Sequence, residues 1–177
     1  MDVTEKIQTD SEQNWYAIYV KPRHEFKVAA AFSGLEIEHY LPTHVVLKQW
    51  SDRKKKVREP LFKGYVFIYV NTKERYKALA VESVINTVSF QGKPSVIPDW
   101  EIEHLQTMLS NNANVIVSEK IKIGTHVKII DGPMSGIEGV VYRHEKDEMI
   151  AITIELLKRS VSVQLPKESI TQKLDKK

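Results

Sequence analysis

No cysteine occurs in these 177 residues, which excludes disulfides, thiolate metal sites and cysteine nucleophiles at once. Long apolar runs are missing too. No stretch approaches the roughly 18 apolar residues needed to cross a bilayer, and Met1 to Gln13 is polar and acidic, without the apolar run of a secretion signal. A cytoplasmic chain with no membrane association is expected. A large excess of one charge is absent: 26 Lys and Arg against 23 Asp and Glu leave +3. That is too little to hold nucleic acid tightly unaided, because such affinity scales with the number of phosphates neutralised. Nucleic-acid contact is therefore expected to be local and assisted. Catalytic patterns are missing as well. His24, His39, His44, His104, His126 and His144 show no H-x-x-x-H or related ligand spacing, and the acids form no recognisable pair. The three glycines of Asp131 to Gly139 (DGPMSGIEG) lack the strand-to-helix context and the Lys-Ser/Thr ending of a phosphate-binding loop. No enzyme, metal or cofactor is expected.

What is present is the composition of an ordinary folded protein, 42% hydrophobic and 28% charged, with length enough for one large or two small domains. Met1 to Gln13 reads as a disordered leader. Trp15 to Lys21 (WYAIYVK) is a β-branched and aromatic run suited to a buried strand, stopped by Pro22. Arg23 to Leu35 has helical spacing through Val28, Phe32 and Leu35, and Gly34 marks its end. His39 to Trp50 and Val57 to Phe62 read as strands around a basic tip, and Gly64 to Val70 (GYVFIYV) is the strongest strand signal. A helix capped by Asn71 or Thr72 follows, with Tyr76, Leu79 and Ala80 as its apolar stripe. Val84 to Phe90 is another strand, and Asp99 caps a last helix whose Ile102, Leu105 and Leu109 share a face. The spacing predicts a first domain over 14–110, a linker over 111–119, a small all-β domain over 120–172 and a tail over 173–177. The β assignment is least secure over Glu145 to Arg159, which could also be written as an amphipathic helix. Across that half, short β-branched runs at Thr125 to Ile130, Gly139 to Arg143, Met149 to Leu156 and Ser160 to Leu165 argue a small closed barrel.

Two segments resemble the NusG family of transcription factors. Pro60 to Val70 (PLFKGYVFIYV) is similar to the signature of the family's N-terminal (NGN) domain, supported by Trp15-Tyr16 at the first strand; Lys63 stands where the family usually has proline. Gly124 to Val141 (GTHVKIIDGPMSGIEGVV) resembles the KOW motif. The resemblance implies an α+β protein: an NGN-type four-stranded antiparallel sheet with flanking helices, a linker, and a five-stranded SH3-like KOW β-barrel. It implies a monomer whose N-terminal domain binds RNA polymerase, gripping the β′ clamp helices and reaching the β lobe, and so suppresses pausing or termination. Phe62, Tyr65 and Phe67 match the family's aromatic positions in the clamp-binding hollow; without the resemblance they read as core, and the resemblance reverses that for Tyr65 and Phe67.

The basic run Lys48 to Arg58 (KQWSDRKKKVR) is either a contact to upstream or non-template DNA, through Arg53, Lys54, Lys55 and Lys56, or a solvated loop that keeps a strand edge from aggregating. Lys21 and Arg23, and Arg75 and Lys77 beside Tyr76, are further nucleic-acid candidates, more often plain surface charges. In the KOW unit, Met134, Ile137, Leu157 and Arg159 are the partner-binding candidates, toward Rho or a ribosomal protein. Met134 in place of an aromatic, and Leu157-Lys158-Arg159 in place of the usual Phe-Gly-Arg, lean toward a specialised antiterminator of the RfaH and UpxY kind, serving long operons such as those for surface polysaccharides. The alternatives are a general factor that couples polymerase to Rho or the ribosome, and a ribosome-associated KOW protein that binds RNA.

Overall fold

The computed structural model describes residues 11–50, 53–111, 115–119 and 124–174. Residues 1–10 of the expected leader, 112–114 of the expected linker and the tail beyond Leu174 lie outside the described residues. Few helices and many strands make a mixed α+β chain, which divides into two compact units, Met1–Asp99 and Trp100–Lys177.

The first unit runs β1 (Asn14–Val20), α1 (Glu25–Gly34), β2 (His39–Tyr40), β3 (Thr43–Gln49), β4 (Lys54–Pro60), β5 (Tyr65–Val70), α2 (Thr72–Leu79), β6 (Val84–Thr87), β7 (Ser89–Phe90), β8 (Lys93–Pro94) and β9 (Val96–Ile97). Its main sheet has the order β2-β5-β1-β6, antiparallel throughout, with β9 also pairing β1. Period-two alternation then sorts the aromatic-rich strands. Tyr16, Ile18 and Val20 of β1 and Val66, Ile68 and Val70 of β5 share one face, where Val28 and Phe32 of α1, Ile37, and Ala78 of α2 complete a buried core. Trp15, Ala17 and Tyr19 lie on the other face, opposite Tyr69, Phe67 and Tyr65.

Several sequence expectations shift here for local reasons. The strand expected over 39–50 breaks at Leu41–Pro42, since proline has no N–H to give a ladder, so β2 joins the main sheet while β3 pairs with β4 in a separate two-stranded ribbon. The strand expected over 84–90 divides at Val88 into β6 and β7, and β7 pairs with β8 around Gln91–Gly92, both at positive φ. In α2 a capping box closes between Asn71 and Glu74 and sets the helix start. Arg75 and Ala78 consequently turn inward, whereas Tyr76 of the expected stripe is exposed.

In the second unit, α3 (Asp99–Asn111) precedes β10 (Val115–Glu119), β11 (Thr125–Asp131), β12 (Glu138–His144), β13 (Asp147–Ile154), β14 (Arg159–Gln164) and β15 (Ile170–Lys173). The six strands pair antiparallel in the order β10-β14-β13-β12-β11-β15. Two boundaries differ from expectation. From Trp100 onward α3 groups with this unit, and β10 lies inside the expected linker, where Val115, Ile116 and Val117 ladder onto β14. Residues 147–154 are strand, with Ile150 opposite Val163 and Ile152 opposite Val161, and a 3-10 turn at Glu155–Leu157 follows. Ile102, Leu105 and Met108 are the buried apolar residues of α3, joined by Glu101, with Leu109 only half-buried.

Candidate functional site

The second face of the main sheet is where the aromatic side chains collect. Phe62 and Phe67 meet edge-to-face at 5.7 Å, Tyr40 stacks on Phe67 at 6.5 Å, Tyr19 contacts Tyr65 at 5.4 Å and Trp15 contacts Tyr69 at 5.3 Å. The three residues expected at a docking hollow therefore do come together, but not as three open anchors. Phe62 is 4% and Phe67 0% exposed, because Phe67 faces Ala17 in the centre of the sheet and Phe62 closes over it. Tyr65, half-buried, and its exposed neighbour Tyr19 are the accessible part. Burial also pushes the Tyr40 phenol up to about 12. Tyr19, Tyr40 and Tyr69 are members of this face that the sequence reading did not single out. The period-two alternation of WYAIYV against YVFIYV was the signal for two of them.

The entry to β5 is held by a contact with no sequence signal. Tyr65 N–H donates to the Phe62 carbonyl at 3.1 Å, closing a turn with Lys63 and Gly64 at its centre. Gly64 has φ +83°, the backbone of the third position of a type II turn, whose second position suits proline. Lys63 occupies that second position. The Gly64 N–H donates to the buried Glu25 carboxylate at 2.7 Å, and the Gly64 carbonyl accepts from Val20 N–H at 2.9 Å. The start of α1, the end of β1 and the start of β5 are thereby fastened at one point.

The β3–β4 ribbon carries the basic run. Register places Thr43, Val45, Leu47 and Gln49 opposite Pro60, Arg58, Lys56 and Lys54, while His44, Val46 and Lys48 lie opposite Glu59, Val57 and Lys55 on the reverse side. Glu59 pairs with Lys48 and, at 3.8 Å, with Lys63; the Lys48 hydrogen bond holds its carboxyl below the usual carboxylate range. Lys55 Nζ sits 5.3 Å over the Trp50 ring, and Trp50 N–H closes the ribbon on the Arg53 carbonyl at 2.8 Å. Of the other cations, Lys21 and Arg23 are exposed after β1, and Lys77 is exposed on α2. Arg75 is not available as a nucleic-acid contact. It is 8% exposed, with its guanidinium 5.7 Å from the Tyr16 ring centre and 4.7 Å from that of Tyr76, and Nη1 3.5 Å from the Thr87 hydroxyl.

The partner-binding residues expected in the second unit are also divided. Met134 and Ile137 are core: the loop after β11 folds back through Gly136 N–H to the Ile129 carbonyl at 2.8 Å and turns both side chains inward. Leu157 is half-buried and Arg159 exposed. Between them Lys158 takes a left-handed backbone, φ 51° and ψ 39°, at the position where the family usually has glycine.

The described residues thus present an aromatic face and a cationic ribbon on an α+β frame. The family model described as transcription termination factor nusG matches residues 13–106, more than half of the chain, and the chain belongs to the NusG family. The transcription termination/antitermination protein NusG of Lactococcus lactis is 25% identical, over 90% of this chain and 92% of its own length. That of Helicobacter pylori is 22% identical, over 86% and 94%. The solved Thermotoga maritima NusG aligns with 87% of this chain and 93% of its own at 24% identity, TM-score 0.46.

Proposed function

We propose that this chain is a transcription elongation factor that docks on core RNA polymerase through the aromatic face of its first unit, at the β′ clamp helices and toward the β lobe. In doing so it suppresses pausing or termination. One observation carries the reading: within the stretch matched by the family model, Tyr65 and Tyr19 pair half open on the sheet face that also holds the buried Phe62–Phe67 pair. An aromatic pair already held in mutual contact loses little conformational entropy on docking, which is what a central interface anchor requires. On this reading the first unit is the NGN domain and the second the KOW domain, with Leu157 and Arg159 left for Rho or a ribosomal protein. The basic ribbon then reaches upstream or non-template DNA. Dedication to a few long operons rests on Leu157-Lys158-Arg159 and on the likeness of the first half to specialised antiterminators, where Lys21 follows the first strand, because Met134 is core.

Single-round transcription through a defined pause tests the proposal. The full chain is expected to shorten the pause, and Tyr65→Ser to abolish the effect with its circular dichroism unchanged; a fully active, folded Tyr65→Ser protein would contradict it. Genome-wide occupancy on few transcribed genes supports the specialised role, and occupancy on most of them the general one.

A further inference from the structure

In the second unit β10 sits where the sequence offers only a linker. It pairs along its length with the edge of β14, Val115 opposite Val163, Ile116 opposite Ser162, Val117 opposite Val161 and Ser118 opposite Ser160. β14 is buried on both faces, with Ser160, Val161, Ser162 and Val163 all 0% exposed. Its two neighbours hold it unequally. From β13, Ile150 and Ile152 stand opposite Val163 and Val161 as buried core, whereas Val115 and Val117 of β10 are half-buried and Ile116 is 38% exposed. β10 is therefore held chiefly by its backbone ladder, which any extended chain can supply. On the other face of β14 the fit of β10 is incomplete. Thr153, Ser160 and Ser118 form one row across the strands, and the Thr153 and Ser160 hydroxyls meet at 2.8 Å. In the next row Ser162 lies between Ala151 and Ile116, two apolar neighbours, and its buried hydroxyl has no hydrogen-bond partner among the described residues.

We infer that the edge of β14 is a strand-addition site for an extended segment of another protein, and that β10 is its built-in competitor. The register states what that segment looks like. It runs antiparallel to β14, places β-branched apolar side chains opposite Val161 and Val163, and carries a threonine or serine opposite Ser162, where β10 has Ile116. Directly opposed side chains of an antiparallel pair have Cβ atoms about 5 Å apart, close enough for two hydroxyls to hydrogen-bond. The incoming strand thus satisfies the Ser162 hydroxyl that β10 leaves without a partner, while the ladder is exchanged bond for bond. β10 competes by proximity, because residues 120–124 tether it to β11 at an effective concentration of about 1 mM. Arg159, assigned above to a protein partner, is the first residue of β14, so a segment on this edge runs directly into that contact. The inference deepens the partner-binding part of the proposed function, naming the form in which a partner is taken and the segment of this chain that holds it off.

The probe is a labelled peptide with the sequence of residues 114–120 (NVIVSEK), together with its Ile116→Thr form. Both are titrated into the full-length protein without polymerase, so failure leaves polymerase docking untouched. Fluorescence anisotropy should rank the threonine peptide about fivefold tighter, the equivalent of one net hydrogen bond, and Ser162→Ala in the protein should erase that ranking. Val117→Pro/Ser118→Pro in the full chain breaks the β10 ladder. It should tighten both peptides by about tenfold, since a tethered competitor at about 1 mM holds back a peptide of about 0.1 mM affinity by that factor. Ile116→Thr in the full chain does the reverse, weakening both peptides by about fivefold. With peptide bound, amide hydrogen exchange should show residues 115–119 losing protection and residues 159–163 keeping it. Equal affinity of the two peptides, a ranking that survives Ser162→Ala, unchanged protection of 115–119, or no binding to a folded Val117→Pro/Ser118→Pro protein would each overturn the inference. So would dimerisation of the full chain through this edge in place of peptide binding.

Discussion

Glu25 should hold the entry to the aromatic face, and two substitutions separate its hydrogen bond from its charge. The carboxylate is 3% exposed and accepts the Gly64 N–H at 2.7 Å across 39 residues of sequence. Glu25→Ala leaves that N–H buried without an acceptor, a loss of about 1.5–3 kcal/mol for a bond to a charged group. It also removes a buried carboxylate, which returns part of the desolvation cost. Glu25→Gln returns the same desolvation while keeping an oxygen in place, so the difference between the variants isolates the hydrogen bond, at about 1–2 kcal/mol in favour of Gln. The chain has three tryptophans, so Trp50→Phe/Trp100→Phe leaves Trp15, on the aromatic face, as the single tryptophan whose emission reports unfolding. With a urea slope of about 1–3 kcal/mol per molar, the Ala variant should unfold roughly 1 M earlier than the Gln variant. Coincident midpoints for the two would refute the argument.

Four further outcomes follow from particular backbones and burials. Lys158 sits at φ 51°, so Lys158→Gly should stabilise the second unit by about 1 kcal/mol in thermal unfolding. Lys63→Pro, at the second position of the turn before β5, should raise the first unit's stability by about 0.5–1 kcal/mol, and a drop would mean that the turn differs from type II. Arg75→Ala should cost about 2 kcal/mol in urea unfolding through lost ring and hydroxyl contacts, with oligonucleotide salt slope unchanged, whereas exposed Lys77→Ala should leave stability as it was. Burial raises Tyr40 from 10 to about 12, so an unfolded chain releases that proton first. The stabilisation is intact below pH 10 and is lost as pH rises toward 12, and Tyr40→Phe should flatten that part of the stability profile measured by urea midpoint.

Much of this was legible wherever side-chain period and backbone geometry say the same thing. YVFIYV alternates aromatic and aliphatic residues strictly, and antiparallel pairing with WYAIYV collects Trp15 and Tyr19 on the aromatic face while Tyr16 joins the aliphatic set toward the helices. Where legibility failed, a local device outweighed the period. Pro42 cut one apparent strand in two, and the Asn71–Glu74 box rotated α2 so that an arginine, not Tyr76, faced inward. Asparagines around 111–114 masked the short valine-rich run that became β10. The site residues failed differently. Phe62, Phe67, Met134 and Ile137 have the right identity for anchors, but exposure is a property of what lies above a residue, which local sequence does not encode. The Glu25–Gly64 bond spans two elements, and neither residue's neighbours announce it.

The central claim is that the half-open aromatic pair is a polymerase anchor. It is tested most directly by equilibrium binding of the labelled full-length chain to purified core RNA polymerase, with intact ribosomes as competitor. The account predicts saturable binding that ribosomes do not compete away, weakened by about 30-fold in Tyr65→Ser, the equivalent of a 2 kcal/mol anchor, with circular dichroism unchanged. Undiminished binding by a folded Tyr65→Ser protein, or affinity for ribosomes in place of polymerase, would contradict it.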